Sequence, residues 1–119
     1  MFLVDDNIDI AEAICFYCQS EDIDCKCINQ GRKTLDSIRR EKFDLILLDL
    51  AMPESSGLDV IKSLKEEGAI ESKNIVVFTV LSDRNIMDKV KDSGIKEIFK
   101  KPCSLDDLIK LIEKYRSRW

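Results

Sequence analysis

Five side chains spread along the chain are of types that could do chemistry together: Asp5, Asp6, Asp49, Thr79 and Lys101. Asp49 closes the stretch Phe43-Asp44-Leu45-Ile46-Leu47-Leu48-Asp49, which is largely apolar without alternation and is broken by Met52-Pro53 and Ser55-Ser56-Gly57. Such a run reads as a strand buried on both faces, as in the middle of a parallel sheet. A bare carboxylate inside it would cost many kcal/mol, so Asp49 must emerge at the carboxyl end, the edge where open α/β sheets bind ligands. Met1-Phe2-Leu3-Val4 before Asp5-Asp6 has the same layout. Three carboxylates within about 4 Å of one another repel by roughly 1–4 kcal/mol per pair, which calls for positive charge. An all-oxygen donor set suits a hard cation, and Mg²⁺ held by carboxylates together with a phosphate fits the ligand types. Lys101 and a divalent ion then balance the three acids. Taken singly, an acidic pair after a strand is a solvated helix start, Thr79 a strand residue and Lys101 a surface lysine.

The elements that must position these residues alternate along the chain. Asn7 or Asp6 caps a helix with Ile10, Ala13, Ile14, Tyr17 and Cys18 on one face, ended by Glu21-Asp22. Ile23 to Ile28 reads as a strand near the sheet edge, and Arg32 to Glu41 as a short polar helix. Beyond Gly57, Leu58, Ile61 and Leu64 mark a helix stopped by Gly68, and Asn74 to Val80 is a further continuous apolar strand ending at Thr79. Asp83 to Ser93 is helical and stops at Gly94. Lys96 to Lys100 forms a last strand, and Ser104 caps a helix with Leu105, Leu108, Ile109 and Ile112 inward. Strand and helix alternate five times, which predicts an α/β, doubly wound, five-stranded parallel sheet in a single domain over residues 1–119. Right-handed crossovers bring the carboxyl ends of all five strands, and with them the five side chains, to one edge.

Composition narrows the function classes. With 45% hydrophobic and 35% charged residues over 119 positions, the chain can bury one core as a soluble domain. Its net charge of −4 argues against nucleic-acid binding by this domain. No apolar run is long enough for a membrane span, the N-terminus lacks a secretory layout, and the odd cysteine count of 5 points to reduced thiols, so a cytoplasmic location is expected. The sequence contains no histidine, which excludes Ser-His-Asp and Cys-His nucleophile systems.

Val4-Asp5-Asp6-Asn7, Asp44-Leu45-Ile46-Leu47-Leu48-Asp49, Met52-Pro53, Ser56-Gly57, Thr79 and Lys101-Pro102 follow one another at separations that resemble those of the receiver domains of two-component response regulators, whose fold is flavodoxin-like. The resemblance implies that Asp49 accepts a phosphoryl group from a phosphohistidine on a sensor histidine kinase or phosphotransfer protein. It implies Mg²⁺ on Asp5, Asp6, Asp49 and the backbone carbonyl of Ala51, with Thr79 and Lys101 on the phosphoryl oxygens. A cis bond before Pro102 would point the lysine into the site. The chain would then be a signalling switch, catalysing only its own phosphorylation and dephosphorylation, and its readout toward a downstream protein or effector domain would use the last two helices and the strand between them. A homodimer through those helices is left open.

The sequence departs from the pattern at several points. Ile98 stands where relatives carry an aromatic that moves with the threonine, and Phe99, one place on, should face the other way. Signalling is therefore expected through backbone and helix displacement or with weaker coupling. Val80 should narrow access to Asp49, and Ala51 and Leu81 offer no polar side chain to an attacking water, which predicts slow self-dephosphorylation. Two rival functions are a Mg²⁺-dependent small-molecule phosphatase or phosphotransferase, which in the haloacid-dehalogenase pattern needs an aspartate where Ala51 stands, and a pseudo-receiver that binds partners without phosphorylation. Cys15, Cys18, Cys25 and Cys27 have spacing compatible with zinc. Packing is the preferred reading, because Cys18 is on the buried stripe, Cys25 is at an inward position and Cys15 should turn outward, away from Cys18. Cys103 also reads as a packing residue.

Overall fold

The computed structural model describes residues 1–5, 7–28, 33–50, 57–79, 83–101 and 104–116. Among these, the elements run β1 (Phe2–Val4), α1 (Ile8–Ser20), β2 (Lys26–Ile28), α2 (Thr34–Arg40), β3 (Ile46–Leu48), α3 (Gly57–Glu66), β4 (Ile75–Thr79), α4 (Arg84–Asp92), β5 (Glu97–Lys100) and α5 (Leu105–Arg116). The strands form one sheet in the order β2-β1-β3-β4-β5, every neighbouring pair parallel. This is the doubly wound parallel sheet that the alternation predicts, in the flavodoxin-like strand order that the resemblance implies.

The continuous apolar strands are explained by two cores, one on each sheet face. Phe2, Val4, Ile46, Leu48, Ile75 and Val77 pack with Ile38 of α2, Val60, Ile61 and Leu64 of α3, and Met87 and Val90 of α4. The alternate strand positions Leu3, Leu47, Val76 and Phe78, together with Leu45, pack with Ile14 and Cys18 of α1 and Leu108, Leu111, Ile112 and Tyr115 of α5. A strand covered on both sides cannot show polar alternation, and each fully buried aliphatic side chain contributes about 1.5–3 kcal/mol.

Local signals set the helix ends. The Asn7 side chain accepts from the Ile10 amide, Asp83 from the Ile86 amide and Ser104 from the Asp107 amide, so Asn7 is an N-cap of α1. Gly68 and Gly94 stand beyond α3 and α4 with φ of +69° and +104°, which a side chain would strain.

Three expectations need correction. The strands are shorter than the apolar runs: β3 covers Ile46–Leu48 and β2 only Lys26–Ile28, because burial continues beyond the residues that keep ladder hydrogen bonds. Leu105, expected inward, is 43% exposed, since it opens α5 on the turn that faces away from the sheet. Leu111 and Tyr115 complete the buried stripe instead. Cys15, expected to face outward and away from Cys18, is half-buried, with its sulfur 3.8 Å from that of Cys25.

Candidate functional site at the carboxyl edge of the sheet

Register assembles the site. Val4 pairs with Leu48 across β1 and β3, so Asp5 and Asp49 leave adjacent strands side by side, and the Asp49 amide donates to the Val4 carbonyl at 2.9 Å. Thr79 ends β4 opposite Lys100 of β5, and the Lys101 amide donates to the Thr79 carbonyl at 2.9 Å. Asp5, Asp49 and Thr79 are all buried.

Lys101 draws the edge together. Its ammonium lies 2.5 Å from Asp5 Oδ2 and 3.3 Å from Asp49 Oδ2, with the Asp5 side chain fully buried and the lysine side chain only 11% exposed. The two carboxylate oxygens therefore lie within about 6 Å of each other, a range over which like charges in a protein interior repel appreciably. Asp5 is fixed at both oxygens, because Oδ1 accepts from the Asn7 amide at 2.9 Å. The residue that caps α1 thus also orients an acid of the site.

The electrostatics are lopsided. Burial pushes the Asp5 carboxyl above its ordinary value, the hydrogen bonds from Lys101 and Asn7 oppose this, and the charge of Asp49 adds to the rise. Burial also works against the Lys101 ammonium, but Asp5 and Asp49 outweigh it and hold its pKa above the usual lysine range. Two acids sharing one cation leave the lysine over-compensated and Asp5 under-compensated, so the edge has room for further positive charge.

Two residues that the sequence reading did not connect with the site support it. Phe78 lies beneath Lys101, the ammonium 4.6 Å from its ring centroid, in cation–π range. Gly57 opens α3 so close to the end of β3 that a Cβ there would come within 2.6 Å of the Asp49 carbonyl oxygen. The apolar run that places Phe78 in the core could not reveal what the face of its ring meets. Asp6 and Ala51, expected as further metal ligands, lie outside the described residues, as do Val80, Leu81, Met52, Pro53, Ser56, Pro102 and Cys103.

Fold and edge together define a doubly wound α/β domain with buried carboxylates bridged by a lysine. Residues 1–113 match the family model of the response regulator receiver domain, and the chain belongs to that family. It is 26% identical over 115 residues to the transcriptional regulatory protein CrdR of Helicobacter pylori, covering 97% of this chain and 54% of that protein. With the regulatory protein LuxO of Vibrio cholerae it shares 32% identity, covering 89% of this chain and 23% of that protein. With the polar-differentiation response regulator DivK of Brucella anthropi it shares 31% over 85 residues, 71% of this chain and 69% of DivK. The chain thus spans about half of CrdR and under a quarter of LuxO. Among solved structures, a signal receiver domain from Vibrio parahaemolyticus superposes with a TM-score of 0.82 at 25% identity, covering 98% of this chain and 88% of that one. A response regulator receiver protein from Pseudomonas putida gives 0.81 at 27% identity, covering 95% and 93%. Among the described residues no helix is long and apolar enough to cross a membrane.

Proposed function

We propose that this receiver domain is switched by phosphorylation of Asp49. The observation that carries the proposal is the bridging of Asp5 and Asp49 by Lys101 at the carboxyl edge of the sheet. An Asp49 oxygen attacks the phosphorus of a phosphohistidine on a sensor histidine kinase or phosphotransfer protein. The P–N bond breaks with its electron pair going to the imidazole nitrogen, the ring leaves neutral because its other nitrogen carries a proton, and an acyl phosphate forms. Phosphoryl transfer asks a protein mainly for alignment and charge neutralisation. Lys101 supplies a fixed ammonium beside the nucleophile, and the hydroxyl of Thr79, which ends the next strand, would serve the new phosphoryl oxygens.

The donor chemistry of the edge fits Mg²⁺: hard carboxylate oxygens, two of them from Asp5 and Asp49, in a setting short of positive charge. Asp6 and the Ala51 carbonyl would complete the protein ligands. When bound, the ion supplies positive charge against the phosphoryl oxygens. The acyl phosphate changes charge at the end of β3, and a shift of Thr79 passes the change toward α4 and β5, altering contacts with a downstream protein or effector domain. Between α4 and β5 lies a groove of about 500 Å³ lined by Arg84, Met87, Lys91 and Ile98. It is a surface that such a shift would reshape.

The test is incubation with Mg²⁺ and acetyl phosphate, read by intact mass, beside beryllofluoride binding. A single phosphate addition that is absent from Asp49→Ala, together with beryllofluoride binding that requires Mg²⁺, is the expected result. Phosphate incorporation persisting in Asp49→Ala, or neither ligand binding to the native chain, would overturn it.

A further inference from the structure

A second cluster of reactive side chains lies outside the acidic edge. Cys25 and Cys27 are two residues apart on the extended segment that enters β2, so their side chains share one sheet face. The register pairs Cys27 with Leu3, whose side chain lies on the face covered by α1 and α5. Helix α1 crosses there and brings Cys15 to the same place. The Cys25 sulfur lies 3.8 Å from that of Cys15 and 3.7 Å from that of Cys27, and the three sulfurs lie within 4.8 Å of one another.

Core packing accounts for only part of this cluster. Cys18 is fully buried in the α1–α5 core and Cys25 packs against it, as small hydrophobes would. Cys15 and Cys27 belong to neither core; Cys15 is half-buried and Cys27 exposed. Two thiols held at the surface against a third gain little from burial. Their separations suit another purpose, because sulfurs bound tetrahedrally to one ion at about 2.3 Å stand about 3.8 Å apart. A soft cation could enter this triangle with little movement of its ligands, and solvent can reach it at Cys27.

We propose that Cys15, Cys25 and Cys27 form a thiolate site for a soft d¹⁰ cation, Zn²⁺ or Cu⁺, distinct in place and in ligand chemistry from the oxygen-lined edge. Thiolates favour these ions over Mg²⁺, so the two sites would sort their metals by softness. With three protein sulfurs, a tetrahedral ion would keep one position open to solvent. Cys18, one turn along α1 and buried, stays with the core.

The experiment uses the whole chain, reduced and kept anaerobic, with excess Mg²⁺ present to occupy the acidic edge. Zn²⁺ is titrated against a chromophoric zinc chelator and Cu⁺ against a Cu⁺ chelator. One equivalent of either ion should be taken from its chelator, with affinity falling at least about tenfold in Cys15→Ser and in Cys27→Ser, and persisting in Cys18→Ala and Asp49→Asn. Both serine substitutions fall outside the packed cores, and unchanged thermal unfolding of the metal-free variants would show that they fold. Failure of both ions to bind, retention of binding by the Cys15→Ser/Cys27→Ser double variant, or its loss in Asp49→Asn would overturn the proposal. Acetyl phosphate labelling of Asp49 should be the same in the cysteine variants, so the two sites stand or fall separately.

Discussion

Gly57 and Asp49 meet backbone to backbone: a Cβ at Gly57 would stand 2.6 Å from the Asp49 carbonyl oxygen and 3.0 Å from the Leu50 α-carbon. Neither neighbour is a side-chain tip that could swing aside, so an added methyl must move α3 or the end of β3. Gly57→Ala should therefore destabilise the chain by about 1–3 kcal/mol, the usual range for overpacking, and slow labelling of Asp49 by acetyl phosphate. Gly68→Ala provides the contrast. That glycine has φ of +69° with open space around its Cβ position, so alanine there should cost about 1 kcal/mol of backbone strain and leave the labelling rate unchanged. Urea unfolding and a labelling time course on both variants check the pair.

Lys101 holds two buried carboxylates, and neither of its contacts is well exposed to water. Lys101→Met keeps the length of the stem and removes the charge, leaving Asp5 and Asp49 facing each other. Removing one partner of a buried ion pair typically costs about 3–5 kcal/mol, and a loss of that order is expected at neutral pH without divalent cations. Added Mg²⁺ should restore part of the stability while the phosphorylated yield stays low, because the lysine's place beside the phosphoryl group is empty. Stability and labelling recovering together on Mg²⁺ addition would argue against a role for Lys101 in the transfer.

Asp5 gives a pH prediction of definite sign. Burial raises its carboxyl pKa in the folded chain above the ordinary value of 3.8, so the folded state binds more protons than the unfolded one in the window starting near that value. Stability from this group is present below that window and is lost as pH rises through the folded pKa. Asp5→Asn should then stabilise the metal-free chain at pH 7, with the gain shrinking toward pH 4. Mg²⁺ reverses the order: at tenfold its dissociation constant it should add about 1.4 kcal/mol to the native chain and little to the variant. Thermal melts at several pH values, with and without Mg²⁺, measure both effects.

The fold was legible because the central strands β1, β3 and β4 are covered on both faces and so appear as uninterrupted apolar runs, and because Asn7, Asp83, Ser104, Gly68 and Gly94 mark helix ends chemically. The site was legible as a set of acids at strand ends, and Asp5, Asp49 and Lys101 do meet. What stayed hidden were relations between elements far apart in sequence. Phe78 reads as a core residue, and only the path of the chain after β5 puts Lys101 over its ring. Helical spacing turns Cys15 away from Cys18, but it cannot show that β2 passes beneath that side of α1 with two more thiols. Leu105 kept the apolar spacing of its helix and still faces solvent, since periodicity fixes a stripe without saying where the supporting sheet ends.

Phe78, Phe99 and Ile98 together constrain how the switch can work. Ile98 packs with the α2–α3–α4 core and lines the groove beside Met87, whereas Phe99 lies against the α1–α5 core with its ring centroid 6.1 Å from that of Phe78. Phe78 in turn supports the Lys101 ammonium. For Phe99 to take up movement at Thr79, its ring would have to cross the sheet, which the pleat forbids without a change of register. The beryllofluoride-bound chain should therefore keep Phe99 against Phe78, with the change appearing as displacement of α4 and of the β5 backbone around Ile98. Phe78→Leu should weaken the site from the other direction. It removes the ring under Lys101 and part of the Phe99 contact, costing about 1–3 kcal/mol, and should lower beryllofluoride affinity although residue 78 touches no phosphoryl oxygen. NMR shifts of the two rings on beryllofluoride addition discriminate: small ring changes with large α4 amide changes are expected, whereas a large reorientation of the Phe99 ring would show that an aromatic switch operates after all.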